Sequence, residues 1–224
     1  MQPANDPTVN YKQLVEQGYD RCAAAYAAAR SGNAHPELAL LTERLPATAQ
    51  VLDIGCGAGV PIAHTLANDV AVTGVDISAE QIRRARNQVP IGRFIHSDIM
   101  ALDFPPATFD AVVAFYAIFH LPRAEHPELL RRIYTWLKPG GYLLATVTQV
   151  AEDAYTEDDF FGVTMYWSNY GLADYRRLLT TLGFTLLDTQ TPGHGYATDT
   201  SATPESHPLL FAQKPETAHH RADQ

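Results

Sequence analysis

A chain of 224 residues, 46% of them apolar, is long enough for one α/β domain with a buried core. Sixteen basic residues against 25 acidic ones give a formal charge of −9, which argues against a nucleic-acid partner and against an anionic membrane surface. Cys22 and Cys56 make no disulfide framework, residues 1–10 lack the basic and apolar regions of a signal peptide, and no apolar run reaches spanning length, so the expected location is cytoplasmic.

Residues 1–10 are polar, carry two prolines and are expected to fray. Tyr11–Arg30 is alanine-rich and favours a helix, which Gly18 can split. Tyr19, Cys22 and Tyr26 share one of its faces, a stripe that suits a core as well as a ligand contact. Lying ahead of the first strand, residues 1–35 can form a helical lid. Residues 36–45 read as an amphipathic helix.

Residues 51–59, VLDIGCGAG, follow. Val51, Leu52, Asp53 and Ile54 make a short buried strand that runs into Gly55, Gly57 and Gly59, with a helical segment from Val60 to about Asn68. Bare backbone and a helix start let a ligand approach closely. The spacing G-x-G-x-G departs from the dinucleotide fingerprint, which argues against a nicotinamide cofactor. A second apolar strand ends in Asp76, about twenty residues past the loop, where an acid can accept both hydrogen bonds of a ribose diol. Ser78 and Gln81 form a capping box for a helix to about Gln88.

Arg93–His96 is a third strand, leading to Ser97-Asp98-Ile99-Met100. There a carboxylate can accept from an exocyclic amine while Ile99 and Met100 wall a ring; Asp98 also suits a helix cap. Residues 109–115 are a fourth strand buried on both faces, continued by residues 116–121. A helix over 127–138 is stopped by Pro139-Gly140-Gly141, a fifth strand covers 142–148, and residues 151–170 read as a long irregular acidic and aromatic cap. A helix over 171–182 ends at Gly183, and strands at 184–189 and 208–212 flank the connection 190–207. The alternation predicts a Rossmann-like, doubly wound, mostly parallel seven-stranded sheet with an antiparallel last strand. The core domain spans residues 36–214, and 215–224 form a polar tail.

The run VLDIGCGAG, GVDIS, SDIM, FDAVVAFYAIFHL and LKPGGYLLAT resembles the class I S-adenosylmethionine-dependent methyltransferases, on the small-molecule branch that includes ubiquinone- and menaquinone-biosynthesis-type enzymes. The resemblance covers residues 11–214 and implies S-adenosyl-L-methionine as cofactor, S-adenosyl-L-homocysteine as its product, and methyl transfer by in-line displacement. By that pattern Asp53, Gly55, Gly57 and Gly59 hold the methionine end, Asp76 the ribose, Ile77 and Ile99 the faces of the adenine, and Asp98 its amino group. Phe115 presents its carbonyl to the cofactor amino group, and Tyr19 and Tyr26 cover the methionine end. The amino-methylation motif Asn-Pro-Pro-Tyr and the paired-glutamate loop of arginine methyltransferases are both missing, which points to a small-molecule substrate, methylated at oxygen in the first reading and at nitrogen, carbon or sulfur in the next. A cofactor-binding module without turnover, and a cyclase or isomerase on the same fold, are the other readings.

An oxygen nucleophile needs a base, for which His120 and His194 are the candidates. His120 suits a supporting role behind the substrate equally well. Tyr116, His120, Tyr166, Trp167, His194, Tyr196 and His207 are the expected substrate contacts, with Phe160, Phe161 and Met165 in the cap. Glu157-Asp158-Asp159 lacks a third ligand and reads as a solvated loop, so no metal is expected. The expected partner is a small molecule, bound by a monomer or homodimer.

Overall fold

The computed structural model describes residues 2–4, 6, 8–30, 35–190 and 207–216. In chain order the elements are β1 (Gln2–Pro3), α1 (Tyr11–Arg30), α2 (Ala39–Thr42), β2 (Gln50–Ile54), α3 (Ile62–Leu66), β3 (Ala71–Asp76), α4 (Ala79–Gln88), β4 (Arg93–His96), β5 (Phe109–Ala114), α5 (His126–Trp136), β6 (Leu137–Thr146), β7 (Glu152–Phe160), β8 (Val163–Asn169), α6 (Leu172–Leu182), β9 (Thr185–Gln190) and β10 (Leu209–Gln213).

Seven strands form one sheet in the order β4-β3-β2-β5-β6-β10-β9. β2 pairs in parallel with β3 and β5, and β10 runs antiparallel to both β6 and β9. The expected Rossmann-like architecture is therefore present. The central β5 is covered on both faces, and Ala111, Val112, Val113 and Ala114 are fully buried. One face packs on Leu41, Leu66 and Ile82, the other on Leu129, Ile133 and Trp136. The chain builds outward from β2 to β4 and then returns to the other side of β2 with β5. That reversal opens a crevice at the carboxyl ends of β2 and β5, where such sheets bind ligands.

Residues 151–170 are not irregular. They form the antiparallel hairpin β7–β8, with a turn at Phe161-Gly162 in which both residues have positive φ. β8 is rich in β-branched and aromatic residues, which favour a strand, and it buries Val163, Met165 and Tyr166. Nor does the whole leading segment stand free of the fold: Gln2 and Pro3 pair with Thr156 and Tyr155, so β1-β7-β8 is a second, three-stranded sheet.

α1 is continuous through Gly18. A Cβ there would lie 2.9 Å from the Met165 Cε, so the glycine admits β8 rather than splitting the helix. α1 and β8 share a small core built on Val15, Cys22, Val163 and Met165. Three other helices differ from their expected bounds. Residues 36–42 make a 3-10 turn followed by the short α2. α3 starts at Ile62 and lasts five residues. α5 stops at Trp136, because Leu137 already pairs with Phe109 and Pro139-Gly140-Gly141 lies inside β6 at an irregularity in the ladder. Both cysteines are free and buried.

Candidate functional site

The glycine loop after β2 meets three different demands. Gly55 has φ +68°, and a Cβ there would lie 2.4 Å from the Ala117 Cβ, so this glycine lets the segment after β5 close on the loop. Gly59 faces away from the crevice: a Cβ would meet Ala85 of α4 and Val89 just past its end at 3.2–3.3 Å, so it lets the loop pack there. Gly57 has φ +52° and no atom within 4 Å of a Cβ position among the described residues. Its N–H donates to Asp76 Oδ2 at 2.9 Å, while Asp76 Oδ1 accepts from the Ser78 N–H at 2.9 Å. Burial outweighs these two hydrogen bonds and pushes the Asp76 carboxyl up to about 6. Asp53 is 1% exposed, its Oδ2 has no partner among the described residues, and burial, then the neighbouring Asp76, holds its pKa well above the usual range.

Two clefts meet at this loop. The first is walled by Asp76, Ile77, Asp98, Ile99, Tyr19 and His120. The second is walled by Arg30, Asp53, Ala58 and Pro61. Tyr26, Gly55, Gly57, Gln81 and Phe115 border both and mark the join. A ligand with a flat nucleoside at one end and a short polar chain at the other would fit that outline.

Asp98 is both cap and wall. Its Oδ1 accepts from the Met100 N–H at 2.9 Å, capping the turn Ile99–Ala101, and its Oδ2 lies 2.7 Å from the Lys12 ammonium. Lys12 also reaches Glu125 at 2.5 Å. Desolvation lowers the Lys12 pKa, but hydrogen bonds to the two carboxylates more than offset it. Met100 does not wall the cleft. It borders a separate crevice beside Trp136, and its carbonyl accepts from Arg132.

α1 roofs the join. Asp20 Oδ1 accepts from the Ser78 hydroxyl at 2.6 Å and from the Glu80 N–H at 3.0 Å, tying the helix to the start of α4. Tyr19 and Tyr26 meet edge to face with ring centres 5.3 Å apart. The Tyr19 hydroxyl lies 2.8 Å from His120 Nε2, and His120 Nδ1 lies 2.9 Å from the Tyr166 carbonyl oxygen. A carbonyl only accepts, so Nδ1 carries the hydrogen and Nε2 accepts from Tyr19. Burial, against that backbone bond, lowers the His120 pKa to about 4, leaving a neutral imidazole at pH 7.

The remaining expected contacts divide. Tyr116 lines the first cleft under the Arg30 guanidinium, 4.4 Å from its ring centre, with His207 5.4 Å away on an edge. Trp167 sits 5.7 Å from the His120 ring and stacks on Tyr155. Tyr166 reaches the site through its carbonyl, while its ring stacks on Tyr11 at 4.7 Å. Phe160 and Phe161 pack on Tyr26, while Met165 is fully buried. His194 and Tyr196 lie outside the described residues. Among the described residues no group of three or more His, Cys, Asp or Glu is arranged to hold a metal ion, and no helix is long and apolar enough to cross a membrane.

Three residues in or beside these clefts were not anticipated. Lys12 and Arg30 carry no local signal in an alanine-rich helix. Gln81 has one, as the far member of the capping box, but that assignment is half right: its N–H bonds Ser78 Oγ at 3.1 Å, whereas its side chain turns to the clefts.

Residues 51–141, which contain the loop, Asp76, Asp98 and β5, match the model of a methyltransferase domain family. That stretch of the chain is similar to a methyltransferase domain. A curated relative, the 27-O-demethylrifamycin SV methyltransferase of Amycolatopsis mediterranei, is 40% identical over 101 residues, 42% of this chain and 36% of that protein. The chain spans between 28% and 57% of the length of the first curated relatives it matches. Among solved structures, the 1,6-didemethyltoxoflavin-N1-methyltransferase of Burkholderia thailandensis superposes with a TM-score of 0.69 at 22% identity, covering 96% of this chain and 94% of its own. The [4+2]-cyclase SpnF superposes with a TM-score of 0.68 at 21% identity, covering 96% of this chain and all of its own. These similarities establish the fold, with the glycine loop at its topological switch point.

Proposed function

We propose that this protein transfers a methyl group from S-adenosylmethionine to a small organic metabolite, at oxygen. The observation that carries this reading is the join of the two clefts: Gly57 and Gln81 border both, Asp76 lines one and Asp53 the other, and Oδ2 of Asp53 and both amide atoms of Gln81 are buried with no partner among the described residues. Unpartnered buried polar groups are uncommon in folded proteins and fit a polar ligand bound against them. The relatives and neighbours of this chain include methyltransferases by name and a structure described with S-adenosylhomocysteine bound.

In this reading Asp76 accepts from the ribose hydroxyls, and Asp98 accepts from the adenine amino group between Ile77 and Ile99. Asp53, the Gly55–Gly59 loop and the Phe115 carbonyl hold the amino-acid end beneath Tyr19 and Tyr26. The cofactor supplies a sulfonium methyl group for in-line displacement. The chain's own residues orient the acceptor and exclude water. The substrate enters beside Tyr116, His120, Trp167 and His207, and we assign His194 and Tyr196 to the same contact set.

Transfer to oxygen is favoured by the Tyr19–His120 pair. A substrate hydroxyl passes its proton to the Tyr19 oxygen as the Tyr19 proton moves to His120 Nε2. Burial keeps that nitrogen's lone pair available at neutral pH. Named relatives include both O- and N-methyltransferases, so the acceptor atom rests on this pair. The second reading, a cyclisation without methyl transfer, draws on the SpnF neighbour. The charge of −9 disfavours nucleic acid and an anionic membrane surface as partners, and we take the protein to be cytoplasmic and a monomer or homodimer.

Calorimetry with S-adenosylhomocysteine tests the cofactor reading: the wild-type chain binds, and Asp76→Ala does not. A substrate panel read by mass spectrometry tests the reaction. Products heavier by one methyl group support transfer; conversion at unchanged mass supports the cyclase.

A further inference from the structure

Gln81 occupies the third position of α4 and is 1% exposed. In a complete capping box its side chain would turn back to the Ser78 N–H. Asp76 Oδ1 already takes that donor at 2.9 Å. Neither Nε2 nor Oε1 of Gln81 has a hydrogen-bond partner among the described residues. A fully buried amide with both ends unpaired is costly to the fold, and an apolar side chain of similar shape would be cheaper. The residue nevertheless borders both clefts, and it lines the first together with Gly57 and Asp76.

The chemistry of a ribose diol accounts for the pairing of an acid with an amide. Each hydroxyl offers one O–H donor and lone pairs that accept. An ionised carboxylate only accepts, so Asp76 takes the O–H donors and leaves the oxygen lone pairs unserved. Nε2 of Gln81 is a donor at the same join. Asp76 and Gln81 lie on consecutive segments, the end of β3 and the first turn of α4, so one backbone turn positions both.

We propose that Gln81 is a positioning residue for the cofactor, donating from Nε2 to a ribose hydroxyl oxygen whose hydrogen Asp76 accepts. The inference rests on the S-adenosylmethionine reading above and adds a second residue to the ribose contact. It also explains why the amide survives at a buried position: it is retained for the ligand, at the expense of the fold.

The test combines calorimetry with thermal unfolding on the full chain, using wild type, Gln81→Met and the isosteric Gln81→Glu. The probes are S-adenosylhomocysteine and its 2′-deoxy and 3′-deoxy analogues. Gln81→Met is expected to raise the Tm of the ligand-free protein while weakening S-adenosylhomocysteine about tenfold, an opposition that a merely structural role does not produce. Gln81→Glu, which keeps the shape and loses the donor, weakens binding by at least as much. In both variants one of the two deoxy analogues loses the affinity penalty it shows with wild type, because the contact is already gone. Unchanged affinity in either folded variant, or deoxy penalties retained in full, overturns the proposal while leaving the cofactor reading intact. Failure of the wild-type chain to bind S-adenosylhomocysteine overturns both.

Discussion

The Tyr19 hydroxyl and His120 Nε2 stand 2.8 Å apart, joining the roof helix to the segment after β5. If this pair moves the substrate proton, Tyr19→Phe and His120→Ala each lower kcat by about 10²–10⁴-fold, with S-adenosylhomocysteine affinity changed by less than about threefold. Because the His120 pKa is lowered to about 4, its neutral form persists far below pH 7. At saturating cofactor, kcat therefore shows no acid limb from His120 near pH 6. Steady-state kinetics over a pH series check this, and a kcat unchanged in either variant removes the pair from the proton path.

Cofactor affinity is expected to depend on pH through Asp76. Only the ionised carboxylate accepts from two hydroxyls, and burial raises its pKa to about 6. The association constant for S-adenosylhomocysteine should rise as pH increases through about 6 and level off above, falling roughly tenfold per unit on the acid side. Titration calorimetry from pH 5 to pH 8 measures it. Asp76→Asn should bind weakly with that dependence gone.

Gly55 and Gly57 separate packing from ligand approach. Gly55→Ala puts a methyl group 2.4 Å from the Ala117 Cβ at φ +68°, so the loop and the following segment must part. A loss of about 2–4 kcal/mol in urea unfolding is expected. Gly57→Ala meets no atom within 4 Å among the described residues and carries only the backbone strain of φ +52°, about 1 kcal/mol. It should fold, yet bind S-adenosylhomocysteine at least tenfold more weakly, since the added methyl stands where the ligand backbone passes. Equal affinity in Gly57→Ala would move the ligand off the loop.

Acid stability is expected to follow a second histidine. His126 is buried between the Tyr175 hydroxyl at 2.9 Å and the Leu121 carbonyl at 3.0 Å, and burial lowers its pKa from 6.5 to about 4. The unfolded chain binds the proton more readily, so this contribution is full above 6.5 and is lost as pH falls toward 4. Asp76 acts in the opposite sense: its raised pKa favours the protonated folded form, so its contribution is full below 3.8 and fades as pH rises through about 6. The difference between wild type and His126→Gln isolates the histidine. Urea midpoints of the variant should fall less steeply over that window.

The sheet was legible because its signals are local. β5 is apolar at every central position, β4 is bounded by Gly92 and the acid turn at Asp98, and Gly183 caps α6 with φ +99°. Residues 151–170 were misjudged because acidic residues on β7 masked the alternation, and the hairpin's buried face belongs to a core shared with α1. Asp53, Asp76 and Asp98 could be picked out because each sits at or beside a strand end. Lys12, Arg30 and the tie from Tyr19 to His120 depend on how a helix docks across 86 to 101 residues of chain, which no local pattern encodes. Tyr166 shows the same limit: the sequence offers a ring, and the fold uses the carbonyl.

Met165 tucked against Gly18 means that the helix over the nucleoside-sized cleft and the hairpin beside the acceptor's entrance are bolted into one piece. With Asp20 holding the same helix to α4, a substitution that loosens any one of these seams disturbs the wall on both sides of the crevice.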